Sequence, residues 1–156
     1  MKKKLFTCLF ALLFCFLLIG CTKKEDGPFK MECTGKKDKN EAMESQTVIV
    51  YTFNKEQIAT EFTTTTTQTF EDKETYETYK KTQEESSKQQ AEGVTFSLKT
   101  NDDKKELVFI MTMKGIDKDA KTNEDKEKLK ASYILNENEE SNTTCVLKGI
   151  KKEELK

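Results

Sequence analysis

The sequence predicts an α+β domain, a single antiparallel sheet of about five to six strands with two helices packed on one face. Three observations predict it. Runs of β-branched and aromatic residues recur at short spacing, joined by turn clusters, which argues antiparallel neighbours. Two stretches, 70–93 and 122–134, instead open on acids and carry tyrosine or leucine at helical spacing. The chain has 156 residues, the length of one domain.

Taken in order, residues 29–34 alternate apolar and polar side chains, the period of a half-buried strand. Gly35 begins a charged turn through Asn40. Residues 47–53, β-branched and aromatic almost throughout, are the strongest strand in the chain. Asn54, Lys55 and Glu56 turn the chain into a long third strand, 57–69, that holds five consecutive threonines, Thr63 to Thr67. Threonine is stiff at χ1 and suits an extended backbone. A threonine array on a flat strand also suits an ice-binding or sugar-facing surface, but a single row lacks the repeated register that such a surface requires.

Residues 70–93 carry acids first and lysines later, which favours a helix, with Gly93 as its stop. Tyr76, Tyr79 and Gln83 share one face of it. The tyrosines read as packing onto the sheet, or as a carbohydrate or partner platform. Val94, Phe96 and Leu98 alternate with polar residues. Asn101 to Lys104 is a turn cluster, and the apolar run 107–113 completes a hairpin. Thr122 and the acids after it open a second helix to about Ile134, its buried face made by Leu129, Tyr133 and Ile134. A polar loop at 136–142 leads to a last strand, 143–148. The tail 150–156 is charged and is expected to fray.

Composition removes several kinds of chemistry. The chain has 27 basic residues, all lysine, and 28 acidic ones, with no histidine, arginine or tryptophan. Lysine throughout in place of arginine fits an AT-rich genome. Lacking histidine, the chain has no side chain that titrates near neutrality unperturbed, and no imidazole metal ligand. Without arginine it has no bidentate phosphate or carboxylate clamp. Beyond residue 20, 24 lysines face 28 acids. That mildly acidic balance does not fit nucleic acid, which needs a basic face. No Gly-x-Ser-x-Gly and no Gly-rich phosphate loop is present. No catalytic residue, cofactor or metal site is expected, and a hydrolase using two carboxylates is the remote alternative.

The first residues point to a compartment. Lys2, Lys3 and Lys4 precede an apolar run, 5–19, broken only by Thr7. Fifteen residues of helix reach roughly 22 Å, short of the ~30 Å hydrocarbon core, which is the size of a secretion segment. It ends in Leu18, Ile19, Gly20 and Cys21, which resembles the lipobox of bacterial lipoproteins. The resemblance implies lipid transfer to the Cys21 sulfur and cleavage between Gly20 and Cys21. Residues 1–20 are then the signal peptide, 21–28 a lipid-anchored tether, 29–149 the folded domain and 150–156 the tail. The lysines keep the N-terminus cytoplasmic and export the rest. The expected place is the extracytoplasmic side of the cell membrane, held by lipid on Cys21.

Of five cysteines, Cys8 and Cys15 leave with the signal and Cys21 takes the lipid. Cys33 and Cys145 remain, one near each end of the domain. In an exported chain the pair reads first as a disulfide; two unpaired buried thiols are the alternative. A bond would make the first and last strands neighbours or nearly so, since it holds Cα atoms within about 7 Å. The lipobox, the threonine-rich third strand and the Glu/Lys/Tyr helix after it together resemble the YehR-like family of small bacterial lipoproteins. That resemblance implies no catalytic residues. The expected role is a non-catalytic binding or adaptor module facing an unknown envelope protein or small ligand. A structural lipoprotein without a small ligand is the alternative.

Overall fold

A computed structural model describes residues 28–88 and 91–156. The expected signal segment, most of the tether, and Cys21 lie outside the described residues. The chain runs β1 (Phe29–Thr34), β2 (Asp38–Lys39), β3 (Met43–Phe53), β4 (Ala59–Phe70), α1 (Lys73–Ser86), β5 (Val94–Asn101) and β6 (Glu106–Lys114). After these come α2 (Ile116–Asp119), α3 (Asn123–Lys128), α4 (Ala131–Glu140), β7 (Thr144–Lys148) and a 3-10 turn at Lys152–Glu154. All strands join one antiparallel sheet in the order β5-β6-β4-β3-β1-β7, with the short β2 beside β3.

The class is α+β, mostly sheet, and the sheet has seven strands where five to six are expected. The extra strand is β2, in the charged segment read as a turn. Asp38 and Lys39 pair with Ser45 and Glu44, and that pairing draws β3 back to Met43.

The expected second helix is two helices. Lys130 is extended (φ −67°, ψ 141°) because residues 129–131 also pair with the turn before β4. The Leu129 carbonyl accepts the Ala59 N–H at 2.9 Å, and the Gln57 carbonyl accepts the Ala131 N–H at 3.0 Å. A continuous helix would use those groups internally. Beyond the break α4 runs on to Glu140, through the segment expected to be a loop. Ala131, Ile134, Leu135 and Asn138 fall at i, i+3, i+4 and i+7, one helical stripe; the first three are buried. At its other end α1 stops at Ser86, and Gly93 opens β5 instead. Gly93 has φ +74°, and a Cβ there would lie 3.0 Å from the Lys114 carbonyl oxygen, so glycine is required by both conformation and space.

Register divides the side chains between two faces. Phe29, Met31 and Cys33 of β1 stand opposite Phe53, Tyr51 and Ile49 of β3. Those lead to Phe62 and Thr64 of β4, then to Met113 and Met111 of β6. A bulge between Thr52 and Phe53 sets Ala59 rather than Thr60 opposite Phe53. The extra residue keeps Ala59 on the same face as Phe62, and Ala59 is fully buried. Thr60 uses the bulge locally, donating its hydroxyl to the Thr52 carbonyl.

Cys33 and Cys145 are cross-strand partners in β1 and β7, bonded to each other with Cα atoms 4.0 Å apart. The first and last strands are neighbours, as a bond between these cysteines allows. The charged tail, expected to fray, is tied down by Gln57. Its side-chain amide donates to the Glu154 carbonyl at 2.9 Å, and its carbonyl accepts the Lys156 N–H at 2.7 Å. Leu155 packs against the buried cluster of β1 and α4.

Two outcomes are expected. Replacing both Cys33 and Cys145 by alanine opens a loop with a sequence separation of 112. Stability to urea should fall by on the order of 4–5 kcal/mol in the chain-entropy account, most of the reserve of a domain this size. Gln57→Ala strands two backbone groups of the tail, at about 1–3 kcal/mol. It should also make residues 151–156 sensitive to carboxypeptidase at temperatures where the parent chain resists.

Candidate functional site

The site is best built from the apolar face of the sheet, because that face is only partly covered. Two buried clusters sit on it. At the β1 side, Phe29, Met31, Cys33 and Phe53 pack with Ala131, Ile134 and Leu135 of α4. Phe29 stacks on Phe53 with centroids 4.7 Å apart. At the opposite corner, Phe70 and Leu107 pack with Tyr76 of α1, and Met43 and Leu98 border them.

Between the clusters lie Ile49 of β3, Phe62 of β4, Phe109, Met111 and Met113 of β6, and Val94 and Phe96 of β5. All are half-buried and belong to neither cluster. They are contiguous through cross-strand pairs: Ile49 faces Thr64, Thr64 faces Met111, and Met111 faces Phe96. Phe96 stacks on Phe109 at 5.8 Å, and Phe62 meets Tyr51 at 6.2 Å. Tyr51 marks the strip's edge toward α4. Burial raises the pKa of its phenol, and a hydrogen bond from Asn138 of α4 opposes the rise.

The opposite face differs. Thr63, Thr65, Thr67 and Thr69 of β4 point to it, whereas Thr64 and Thr66 point to the apolar side. Thr63, Thr112 and Thr95 stand in one cross-strand row, and the Thr63 and Thr112 hydroxyls bond at 3.0 Å. The threonines are thus not a single row. Val48, Val50, Val108 and Ile110 interrupt them, and lysine–glutamate pairs ring them, such as Lys148–Glu32 at 2.5 Å and Lys114–Glu61 at 3.7 Å. A shallow polar recess of about 170 Å³ lies at one end, lined by Lys37, Glu44, Gln46, Thr67, Thr69 and Glu106.

Tyr76 and Tyr79 part company. Tyr76 is 1 % exposed, edge-on to Phe70, and its hydroxyl donates to the Asp102 carboxylate at 2.5 Å. Lys80 reaches the same carboxylate oxygen at 2.8 Å while lying over the Tyr76 ring. This trio ties α1 to the β5–β6 turn. Tyr79 is 39 % exposed, its ring 5.1 Å from Phe70. Of the two, only Tyr79 offers surface.

The carboxylates that depart from their ordinary pKa all go down. Lys37 does this to Glu44 through a charged hydrogen bond. The Thr75 backbone N–H does it to Asp72, the α1 N-cap. Lys80 and then Tyr76 do it to Asp102, and the Thr122 hydroxyl does it to Asp125. Each downward shift comes from a hydrogen bond or ion pair that holds a turn, a cap or an element end. Among the described residues no group of three or more His, Cys, Asp or Glu side chains could hold a metal. No helix among them is long and apolar enough to cross a membrane.

Sequence reasoning named both strands of the β5–β6 hairpin but missed the strip. The signal in the sequence was indirect: the helices offer few apolar residues, while the inward positions of β5 and β6 are apolar save Thr100. No family model, curated protein or solved structure matches the chain.

The Asp102 trio has a pH signature. Because its folded-state pKa is depressed, Asp102 stabilises the fold above the ordinary carboxylate range, and that contribution is lost as pH falls through its lowered value. Asp102→Asn should therefore be less stable than the parent at pH 7. The gap should close as thermal melts are taken below about pH 4; a gap unchanged at pH 2 would mean that the carboxylate's charge contributes nothing.

Proposed function

We propose that this chain is a lipid-anchored module of the extracytoplasmic membrane surface, working by binding rather than by catalysis. Both long helices pack on the apolar face of the sheet, α4 over β1 and β7 and α1 over the β4–β6 end, and the strip between them is the binding surface. The observation that carries the compartment is the Cys33–Cys145 bond, since disulfides persist in oxidising compartments and are rare in the cytosol. It supports the reading of Lys2–Lys4, the apolar run and Gly20-Cys21 as an export signal ending in a lipidated cysteine. The likeness in layout to the YehR-like lipoproteins points the same way and brings no activity with it. Against catalysis stand the ionised, lysine-paired carboxylates and the lack of histidine.

The anchor follows from chain number. One acyl chain holds a protein only marginally, and two or three on Cys21 make release very slow. Phe29 lies eight residues beyond Cys21, a tether that extends to at most roughly 28 Å. The domain would therefore remain beside the headgroups.

Cys21→Ala tests the anchor. The variant should accumulate at precursor mass and incorporate no labelled fatty acid, while the parent chain fractionates with membranes at the mass of a lipidated protein starting at Cys21. Normal processing of the variant would end the lipoprotein reading.

A further inference from the structure

On the six strands from β5 to β7, the face that carries Phe29 and Met111 holds no lysine, aspartate or glutamate, although 35 % of the chain is charged. The opposite face of the same strands carries Glu32, Glu44, Glu61, Lys99, Glu106 and Lys114. An uncharged strip half open to solvent is built for an uncharged occupant.

Size argues against a second protein. One side chain on one face of a sheet takes about 33 Å², two residues of rise by one strand spacing. The nine positions of the strip, including Thr64 and Thr66, thus cover roughly 300 Å², against the ~800 Å² per partner of a stable interface. Tyr76 of α1 and Ile134 and Leu135 of α4 pack on the same face at its two ends, which confines an occupant to the strip itself.

Chemistry argues against a peptide. A main chain laid on the strip would need partners for its N–H and C=O groups. The backbone of β3, β4 and β6 beneath it is already paired within the sheet, and the unpaired groups of the edge strand β5 point outward in the plane of the sheet rather than onto this face. Of the two hydroxyls there, Thr66 already meets Thr47 at 3.2 Å. A hydrocarbon chain makes no such demand. The side chains suit one too: Phe62, Phe96 and Phe109 supply flat walls, and Met111 and Met113 are flexible enough to fill gaps around a chain of variable conformation.

We infer that the strip between α1 and α4 binds a single acyl chain of a lipid from the surrounding membrane. The inference rests on the anchored reading, which keeps the strip within reach of the bilayer surface. The acyl groups on Cys21 itself are the other source of the same chemistry, but lifting one of them out of the bilayer would weaken the anchor.

Photocrosslinking of the full chain in living bacteria tests this. Cells making the protein are fed a fatty acid that carries a diazirine and an alkyne, irradiated and fractionated. The non-reduced membrane protein is then digested after lysine and sequenced by mass spectrometry. Lipid adducts are expected on Met111, Met113 or Phe96, at least ten-fold above those on Val108 and Ile110, which lie on the same strand but on the opposite face. Met111→Leu should keep the adduct and Met111→Lys should lose it, whereas Thr65→Lys on the other face should change nothing; the Cys33–Cys145 crosslink in each variant reports that it has folded. Equal labelling of the two faces would overturn the site. An adduct that joins β6 to the Cys21 peptide would overturn the source. If the protein is absent from the membrane fraction, the anchored reading fails on its own. In that case the same labelled fatty acid added to the soluble chain still decides the strip: labelling confined to it supports an acyl site, and none rejects it.

Discussion

One constraint governs this molecule: its sheet presents more apolar face than its helices can cover. β1, β5 and β6 turn apolar side chains inward at nearly every alternate position, whereas β3 and β4 set Thr47, Thr64, Thr66 and Gln68 among Ile49, Phe53, Phe62 and Phe70. Against this the helices bury only four residues, Tyr76 from α1 and Ala131, Ile134 and Leu135 from α4. Fully burying a large apolar side chain is worth about 1.5–3 kcal/mol, so coverage is concentrated where a few residues can seal a corner. Two dense corners and an open middle result.

The same constraint explains where polar groups are used structurally. Tyr76 enters its corner with its hydroxyl already committed to Asp102, since an unpaired buried hydroxyl would cost about as much as its ring gains. Asn138 comes down from α4 onto the Tyr51 phenol at the edge of the other corner. Gln57 is the one buried polar side chain among the described residues. It joins three segments distant in sequence: its backbone meets the start of α4, and its amide meets the tail. Each corner thus holds a polar side chain with a defined partner, while in the middle Thr66 meets Thr47 at 3.2 Å.

How much of this was legible in the sequence depends on the range of the interaction. The strands were readable because alternation is local: 29–34, 47–53 and the β5–β6 hairpin stand close to where their patterns put them. The Cys33–Cys145 bond was readable because only two of the five cysteines lie beyond residue 21. What sequence could not supply was pairing. The two residues of β2 carry no strand signal and are extended only because β3 lies beside them. Lys130 breaks a helix for the sake of bonds to residues 57 and 59, more than seventy positions away. Residues 136–140 look like a polar loop, yet they are helical because Ile134 and Leu135 are buried and Asn138 continues their stripe. The strip was hidden for a related reason. Phe62, Phe96 and Met111 look like core residues one at a time, and only the placement of the described helices shows that they stay half-buried outside both clusters.

The place of β1 in the sheet bears on the proposed anchor. If the domain is tethered as proposed, a pull would enter through residue 28, just before β1. β1 is not an edge strand: it lies between β3 and β7, paired to both. A pull along it loads two ladders of hydrogen bonds in shear rather than opening one from its end. The Cys33–Cys145 bond lies further along the same strand, so a displaced β1 would have to carry β7 with it. β7 is held in turn by the tail, through Gln57, and by α4 through the buried corner. The sealed corner of the fold is therefore the one nearest residue 28. The strip lies mostly on β4, β6 and β5 and reaches β3 only at Ile49, so an occupant there would leave β1 and β7 undisturbed.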